Sequence, residues 1–182
     1  MRDFPALDLG RCRLVPFTEG HLSDRYVGWL NDPAVVRYSE QRHRHHDLAS
    51  CTVYLQAMLA SHDLFLAIEA VDPALGHIGN ISVSFDYPNR SADVSIMVGE
   101  TAARGTGLGG VAWKGILDWL LTDGGLRRVT AGTMAKNSAM IALMENSGMT
   151  IECMRPRAFI CEGEEVAMVL AARFAVDDRS HD

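Results

Sequence analysis

The sequence predicts an α+β fold in a single domain, and three observations predict it. Two stretches of strand-like character, Leu64–Val71 and Gly76–Phe85, flank the turn residues Asp72-Pro73-Ala74-Leu75. A third, Ser91–Val98, follows a second turn, Tyr87-Pro88-Asn89-Arg90. Three strands joined by two turns make an antiparallel meander. Helical spacing of apolar residues precedes and follows this meander, in a mixed order of helices and strands. Neither an internal repeat nor a linker interrupts the 182 residues, a length that suits one domain.

Taken in order, Arg11–Phe17 reads as a short strand, with Cys12, Leu14 and Pro16 alternating against Arg11, Arg13 and Val15. Thr18 can cap the helix that follows, whose apolar positions Leu22, Tyr26 and Leu30 recur every four residues. Asn31-Asp32-Pro33 stops it, because the residue before a proline avoids the helical region. A short helix over Ala34–Tyr38, a polar loop from Ser39 to Asp47 and an amphipathic helix to Ala60 complete the part before the meander. After it, a glycine-rich loop, Arg104–Gly110, opens a helix to Leu121. Leu108, Val111, Ala112, Ile116, Trp119 and Leu120 form its apolar stripe, and Asp123-Gly124-Gly125 ends it. Arg127–Thr133 is a strand, Lys136–Ser147 a helix closed by Gly148, and Thr150–Arg157 with Glu165–Phe174 a final pair of strands.

Composition narrows the function classes. Lys plus Arg number 17 against 23 Asp plus Glu, a net charge of −6, while 48% of residues are apolar and 22% charged. That mix suits a soluble globular protein, and its acidic balance argues against nucleic acid or an anionic membrane as partner. Cys12, Cys51, Cys153 and Cys161 form no C-x-x-C pair and no zinc-ligand spacing, which is the usage of reduced thiols in the cytoplasm. Met1–Pro5 carries no apolar leader core. The longest apolar run, near Val166–Val176, is broken by Arg173 and falls short of a membrane span. A cytoplasmic enzyme is the expectation.

The most informative stretch is Val94–Gly110, where a strand feeds a loop with glycines at 105, 107, 109 and 110 and a helix begins. Glycines let a backbone approach a ligand closely, and the exposed N–H groups of a first helical turn bind phosphate oxygens. Gly105-x-Gly107-x-x-Gly110 matches the dinucleotide fingerprint, but its surroundings do not. The strands before it form a meander, and the next strand ends in Thr130-Ala131-Gly132-Thr133 rather than an acidic residue. No Gly-Lys-Ser/Thr follows, so a P-loop is excluded. The other pattern is Arg-x-x-Gly-x-Gly, filled by Arg104, Gly107 and Gly109.

At these residues the sequence resembles the GNAT superfamily of acetyl-CoA-dependent N-acetyltransferases. The resemblance covers nearly the whole chain. Leu14-Val-Pro-Phe-Thr, Trp29-Leu-Asn-Asp-Pro, Ile96-Met-Val-Gly-Glu and Asn137 through Ser147-Gly148-Met149 fall in the order seen in the Rim-type branch, which resembles ribosomal-protein-alanine and small-amine or amino-sugar acetyltransferases. The resemblance implies one N-acetyltransferase domain over residues 1–182, built on a central, bent, mostly antiparallel mixed sheet flanked by helices. Acetyl-CoA would lie in a V-shaped gap after the fourth predicted strand. Backbone groups near Met97 and Val98 would hold the pantetheine arm. Backbone N–H groups of Arg104, Gly105, Thr106, Gly107, Leu108 and Gly109 would take the pyrophosphate, with the Arg104 charge beside them. Asn137 would contact the pantetheine side, although it can equally be a helix cap. Many relatives are dimers, so a homodimer is a further implication.

Acetyl transfer to an amine needs a neutral nucleophile, a polarised thioester carbonyl and a proton for the departing thiolate. An alkylammonium is protonated at pH 7, and deprotonating it costs roughly 4–5 kcal/mol, which a base can supply. The family often carries a tyrosine as thiolate acid seven residues after the asparagine. Met144 holds that position here and cannot donate a proton, so no general acid is assigned. Asp93 shares a strand face with Ser95 and Met97 by period-two counting and is the candidate base, the other reading being an exposed strand-end carboxylate. Glu100, beyond the strand, suits the turn. Asn80, Ser82 and Ser84 alternate along the third predicted strand and could line a polar groove or face solvent. Glu40, Arg42 and His43 fall in the segment that the resemblance sets near the acceptor. His43, His45 and His46 lack the partners and spacing of a zinc site, so no metal is expected.

The expected activity is direct transfer of acetyl from acetyl-CoA to a primary amine of a small molecule, an amino-sugar nucleotide or a polyamine-like compound. The alternatives are a protein N-terminal acetyltransferase of ribosomal-protein type and a non-catalytic CoA-binding module.

Overall fold

The computed structural model describes residues 4–176; Met1–Asp3, on which part of the leader reading rests, lie outside the described residues. The chain divides into two compact units, one made of the chain up to Ser84 with Val94–Gly115, the other of Phe85–Asp93 with the chain from Ile116 on. Two strands and one helix therefore contribute residues to both.

The first unit holds β1 (Leu7–Asp8), β2 (Cys12–Pro16), β3 (Leu64–Ala70), most of β4 (His77–Asp86) and the second half of β5 (Ser91–Val98), hydrogen-bonded in the order β1-β2-β3-β4-β5. Pairing is antiparallel from β1 through β4, with Leu14 opposite Ile68 and Ile68 opposite Gly79. The meander thus forms between the turns expected of it. β1 is an addition: two residues are too few to show a period. Helices α1 (Asp24–Asn31), α2 (Pro33–Val36) and α3 (Leu48–Ala60) come between β2 and β3. Thr18 does not cap α1. It precedes a single 3-10 turn, Glu19–His21, and Ser23 caps α1 by accepting the Tyr26 N–H at 3.2 Å. Leu22 therefore lies before the helix rather than in its first turn.

An aromatic cluster fills the core of this unit. Phe17 stacks on Phe65 with ring centroids 4.4 Å apart and is joined by Tyr26, Trp29, Leu30, Cys51 and Leu55. His77 stands edge-on to Trp29 and His21, and its Nε2–H donates to the Gly79 carbonyl at 2.9 Å. Burial lowers the His77 pKa to about 4 from an ordinary 6.5, and His21 nearby pushes in the same direction. The unfolded chain then takes up this proton before the folded chain does. Stability is full above pH 6.5 and is lost as the pH falls towards 4, by about 3 kcal/mol for a shift of this size. Thermal melts from pH 7 to pH 4 should show that loss. His77→Gln, which keeps an N–H for the Gly79 carbonyl, should flatten it; an unchanged acid limb in that variant would assign the effect elsewhere.

The second unit starts from the first residues of β5, where Ser91, Ala92 and Asp93 run parallel to Arg128, Val129 and Thr130 of β6 (Arg128–Met134). β6 pairs antiparallel with β8 (Glu164–Phe174), and β8 with β7 (Thr150–Cys161), giving the order β5-β6-β8-β7. One parallel pairing among antiparallel ones makes the mixed, mostly antiparallel sheet of an α+β fold. Helix α4 (Leu108–Leu121) ends here, and α5 (Ser138–Asn146) closes at Gly148, whose φ of +81° a side chain would strain. Ile116, Leu117, Leu120, Val129, Met134 and Met144 are buried in this unit. β7 runs four residues past the expected end at Arg157. Pro156 lies within it, and on the outermost strand of this order its missing N–H costs little. The ladder slips between Arg155 and Phe159, with Arg157 at φ +52°, and then resumes.

Candidate active site

Thr106, Gly107 and the first turn of α4 build the glycine loop, all within the first unit. Gly105 and Gly107 adopt φ of +74° and +87°, the left-handed region that other residues enter at a cost. Gly109 is needed for a different reason: a Cβ there would stand 3.0 Å from Cγ2 of Val98. Val111 N–H already bonds the Gly107 carbonyl at 3.0 Å, and Leu108 N–H reaches the Thr106 hydroxyl only at 3.4 Å. Among the described residues, the N–H groups of Gly105, Gly107, Gly109 and Gly110 meet no acceptor. Four free donors at the positive end of a 14-residue helix make a receptor for phosphate oxygens.

Arg104 is anchored by its side chain. Its Nε and Nη2 each donate at 3.3 Å to the carbonyls of Val98 and Gly99, tying the loop back to the end of β5. The guanidinium that touches the loop is Arg11, whose Nη2 donates to the Thr106 carbonyl at 3.0 Å. Sequence reasoning missed it because 95 residues separate the two. Met97 packs its side chain against the aromatic cluster, which leaves its backbone as the part able to meet a ligand. Glu100 accepts the Ala102 N–H at 3.1 Å and lies 3.6 Å from Arg25, so it serves the turn.

In the second unit, Asp93 accepts a hydrogen bond from the Thr130 hydroxyl at 2.8 Å. The residue is exposed overall, yet desolvation by the protein around it pushes its carboxyl pKa up, with the Thr130 hydrogen bond pulling the opposite way. Asn137 caps α5 by accepting the Met140 N–H at 3.2 Å, and its amide donates to Thr133 Oγ1 at 3.0 Å. Capping thus occupies the carbonyl and one of the two amide hydrogens. Met144 is fully buried.

Glu40, Arg42 and His43 come together on a 3-10 turn, Glu40–His43. Arg42 donates to Glu40 at 2.7 Å and to the Ser39 carbonyl at 2.8 Å, while His43 stays exposed. Asn31 fastens the following loop through paired bonds with the backbone of His46, 2.7 and 2.8 Å long. Along β4, the Ser82 hydroxyl meets that of Ser95 at 2.7 Å, Ser84 reaches Asp63, and the buried Oδ1 of Asn80 has no partner. Asn80 and Ser82 are half-buried, while Ser84 is exposed. No cluster of three metal-binding side chains occurs among the described residues, and no helix among them is long and apolar enough to cross a membrane.

Solved acetyltransferases share this fold. RimL, a ribosomal alpha-N-protein acetyltransferase solved with coenzyme A, superposes with a TM-score of 0.83 at 14% identity, over 93% of this chain and 98% of its own. Spermidine N-acetyltransferase from Vibrio cholerae, solved with CoA and spermine, gives a TM-score of 0.80 at 16% identity, over 91% of this chain and 96% of its own. The microcin self-immunity acetyltransferase MccE, solved with acetyl-CoA and AMP, gives 0.77 at 14% identity over 91% and 93%. At such identities these structures establish a shared fold. No curated protein sequence matches the chain. The family model for the acetyltransferase (GNAT) domain matches residues 11–150, from Arg11 just before β2 through the glycine loop to the start of β7, and the chain belongs to the GNAT acetyltransferase family.

Proposed function

We propose that residues 1–182 form one acetyl-CoA-dependent N-acetyltransferase domain that moves acetyl directly to a primary amine of a small molecule. The observation that carries this is the row of unpartnered N–H groups at Gly105, Gly107, Gly109 and Gly110 on the start of α4. That row suits a pyrophosphate, and the family supplies the thioester chemistry. In this reading the backbone of Met97 and Val98 holds the pantetheine arm, the stretch Arg104–Gly109 takes the pyrophosphate, and Asn137 adds its remaining amide hydrogen.

In the reaction the amine nitrogen attacks the thioester carbonyl carbon, the C–S bond breaks and the thiolate leaves with the electron pair. The amine proton goes to a base and the thiolate takes one from solvent, because Met144 is an apolar, buried group. We assign the base to Asp93. A carboxyl pushed above its ordinary value accepts a proton more readily than a free aspartate does. Asp93→Asn should lower kcat by about a hundredfold at pH 7 and leave acetyl-CoA affinity intact. Activity of the wild-type protein should fall as the pH drops through the raised carboxyl value, where the base becomes protonated. A variant with wild-type kcat would remove Asp93 from the chemistry.

The acceptor is assigned to an amino-sugar nucleotide or a polyamine-like amine. The net charge of −6 favours approach of a cation, and a neighbour of the same fold was solved with spermine. Glu40, Arg42 and His43 are the proposed acceptor contacts, with the Glu40 carboxylate the group able to meet an ammonium. No two cysteines are joined in a disulfide among the described residues, in keeping with a cytoplasmic enzyme. A thermal-shift series with acetyl-CoA and, separately, NAD(H) tests the coenzyme; an amine panel that includes a ribosomal-protein N-terminal peptide tests the acceptor. Turnover of the peptide alone would establish the ribosomal-protein type instead. Binding without turnover of any amine would leave a CoA-binding module.

A further inference from the structure

Arg11 immediately precedes β2, is exposed and lies far in sequence from the glycine loop, yet its side chain hydrogen-bonds the loop's crest. Nη2 donates to the Thr106 carbonyl at 3.0 Å, and Nη1 lies 3.4 Å from where a Cβ on Gly107 would stand. A guanidinium has five N–H donors, and the Thr106 carbonyl is its only hydrogen-bond acceptor among the described residues, with no carboxylate paired to it. Arg104 is committed elsewhere, to the Val98 and Gly99 carbonyls. The peptide joining Thr106 to Gly107 is planar and trans, so its C=O and N–H point to opposite sides. Fixing the carbonyl on Arg11 therefore presents the Gly107 N–H away from Arg11, as one of the loop's free donors.

We propose that Arg11 is a positioning residue for phosphate recognition: it sets the orientation of the Thr106–Gly107 peptide and supplies a fixed positive charge at the loop's crest. The ligand chemistry is the phosphoryl oxygens of the coenzyme, whether from its pyrophosphate or its 3′-phosphate. This rests on the acetyl-CoA reading above. The sequence motif alone does not contain it, since Arg-x-x-Gly-x-Gly names Arg104 as the cation.

The test compares wild type, Arg11→Lys and Arg11→Gln with three thioesters: acetyl-CoA, 3′-dephospho-acetyl-CoA and S-acetylpantetheine, which has no phosphate. Arg11→Gln should weaken acetyl-CoA binding by about tenfold or more, with kcat at saturation and the KM for S-acetylpantetheine unchanged. That loss should shrink as salt is raised, since the lost attraction is charge-based, and Arg11→Lys should recover part of it. A penalty that persists with 3′-dephospho-acetyl-CoA places the effect at the pyrophosphate; one that vanishes places it at the 3′-phosphate. Equal losses for acetyl-CoA and S-acetylpantetheine would reduce Arg11 to a structural prop and overturn the proposal, as would an unaltered acetyl-CoA affinity. Failure of the wild-type protein to bind acetyl-CoA at all would overturn the coenzyme assignment and take this inference with it, so the two failures are told apart by the wild type alone.

Discussion

Gly107→Asp should abolish the stabilisation of the protein by acetyl-CoA. In the wild type, coenzyme at about 100 times Kd adds roughly 2.7 kcal/mol, a rise of about 5–10 °C in Tm for a chain of this size. Two effects converge on the variant. Gly107 has φ +87°, so any side chain there is strained by roughly 1–2 kcal/mol. A carboxylate would also stand beside Arg11, whose Nη1 is 3.4 Å from the Cβ position, pairing with that cation and setting a negative charge where phosphoryl oxygens should sit. Gly107→Ala separates the two, because it keeps the strain and adds no charge. It should melt a few degrees below wild type without ligand and still respond to acetyl-CoA. If Gly107→Asp keeps the full ligand-induced shift, the coenzyme phosphates do not lie at this loop.

Much of this site can be read from the sequence because it is local. Strand, glycine loop and helix follow one another between Val94 and Leu121, so period and glycine spacing locate them without knowledge of the rest of the chain. The meander is legible for the same reason: its turns, Asp72–Leu75 and Tyr87–Arg90, are written in residues with strong turn chemistry. What escapes is set by contacts between distant residues. Arg11 over Thr106, 95 residues apart, and Thr130 against Asp93, 37 apart and set by the pairing of β5 with β6, are contacts that no local window contains. Local competition explains other misses. Thr18 and Ser23 are both competent caps, and the 3-10 turn between them decides which one starts α1. The expected end of β7 at Arg157 falls at the slip in its ladder, where Arg157 takes φ +52°, and only the pairing with β8 beyond it shows that the strand continues.

Gly79→Ala should be among the most destabilising single-methyl changes in the chain. Gly79 lies on β4 opposite Ile68, beside an irregularity that shifts the next pairing to Glu69 with His77. Across from it the end of β5 comes very close: a Cβ at Gly79 would stand 2.1 Å from the Met97 carbonyl oxygen and 3.0 Å from Val98 Cα. Those atoms are backbone and cannot rotate aside, so one of the two strands must move. The Ile78 carbonyl that accepts the N–H groups of Gly99 and Glu100, at 3.0 and 3.1 Å, would move with it. Overpacking of this kind costs about 3 kcal/mol or more, a fall of about 6–12 °C in Tm. Because Met97 and Val98 are also the proposed seat of the pantetheine arm, any folded fraction should bind acetyl-CoA poorly. Gly28→Ala is the matching control, since it lies exposed inside α1 with open space around its Cβ position. There the methyl should stabilise by about 0.5–1 kcal/mol, raising Tm by about 1–4 °C. Opposite signs for the same chemical change would tie the loss at Gly79 to the close approach of β5. A Gly79→Ala protein melting within a degree or two of wild type would mean that the end of β5 does not lie against β4 in this way.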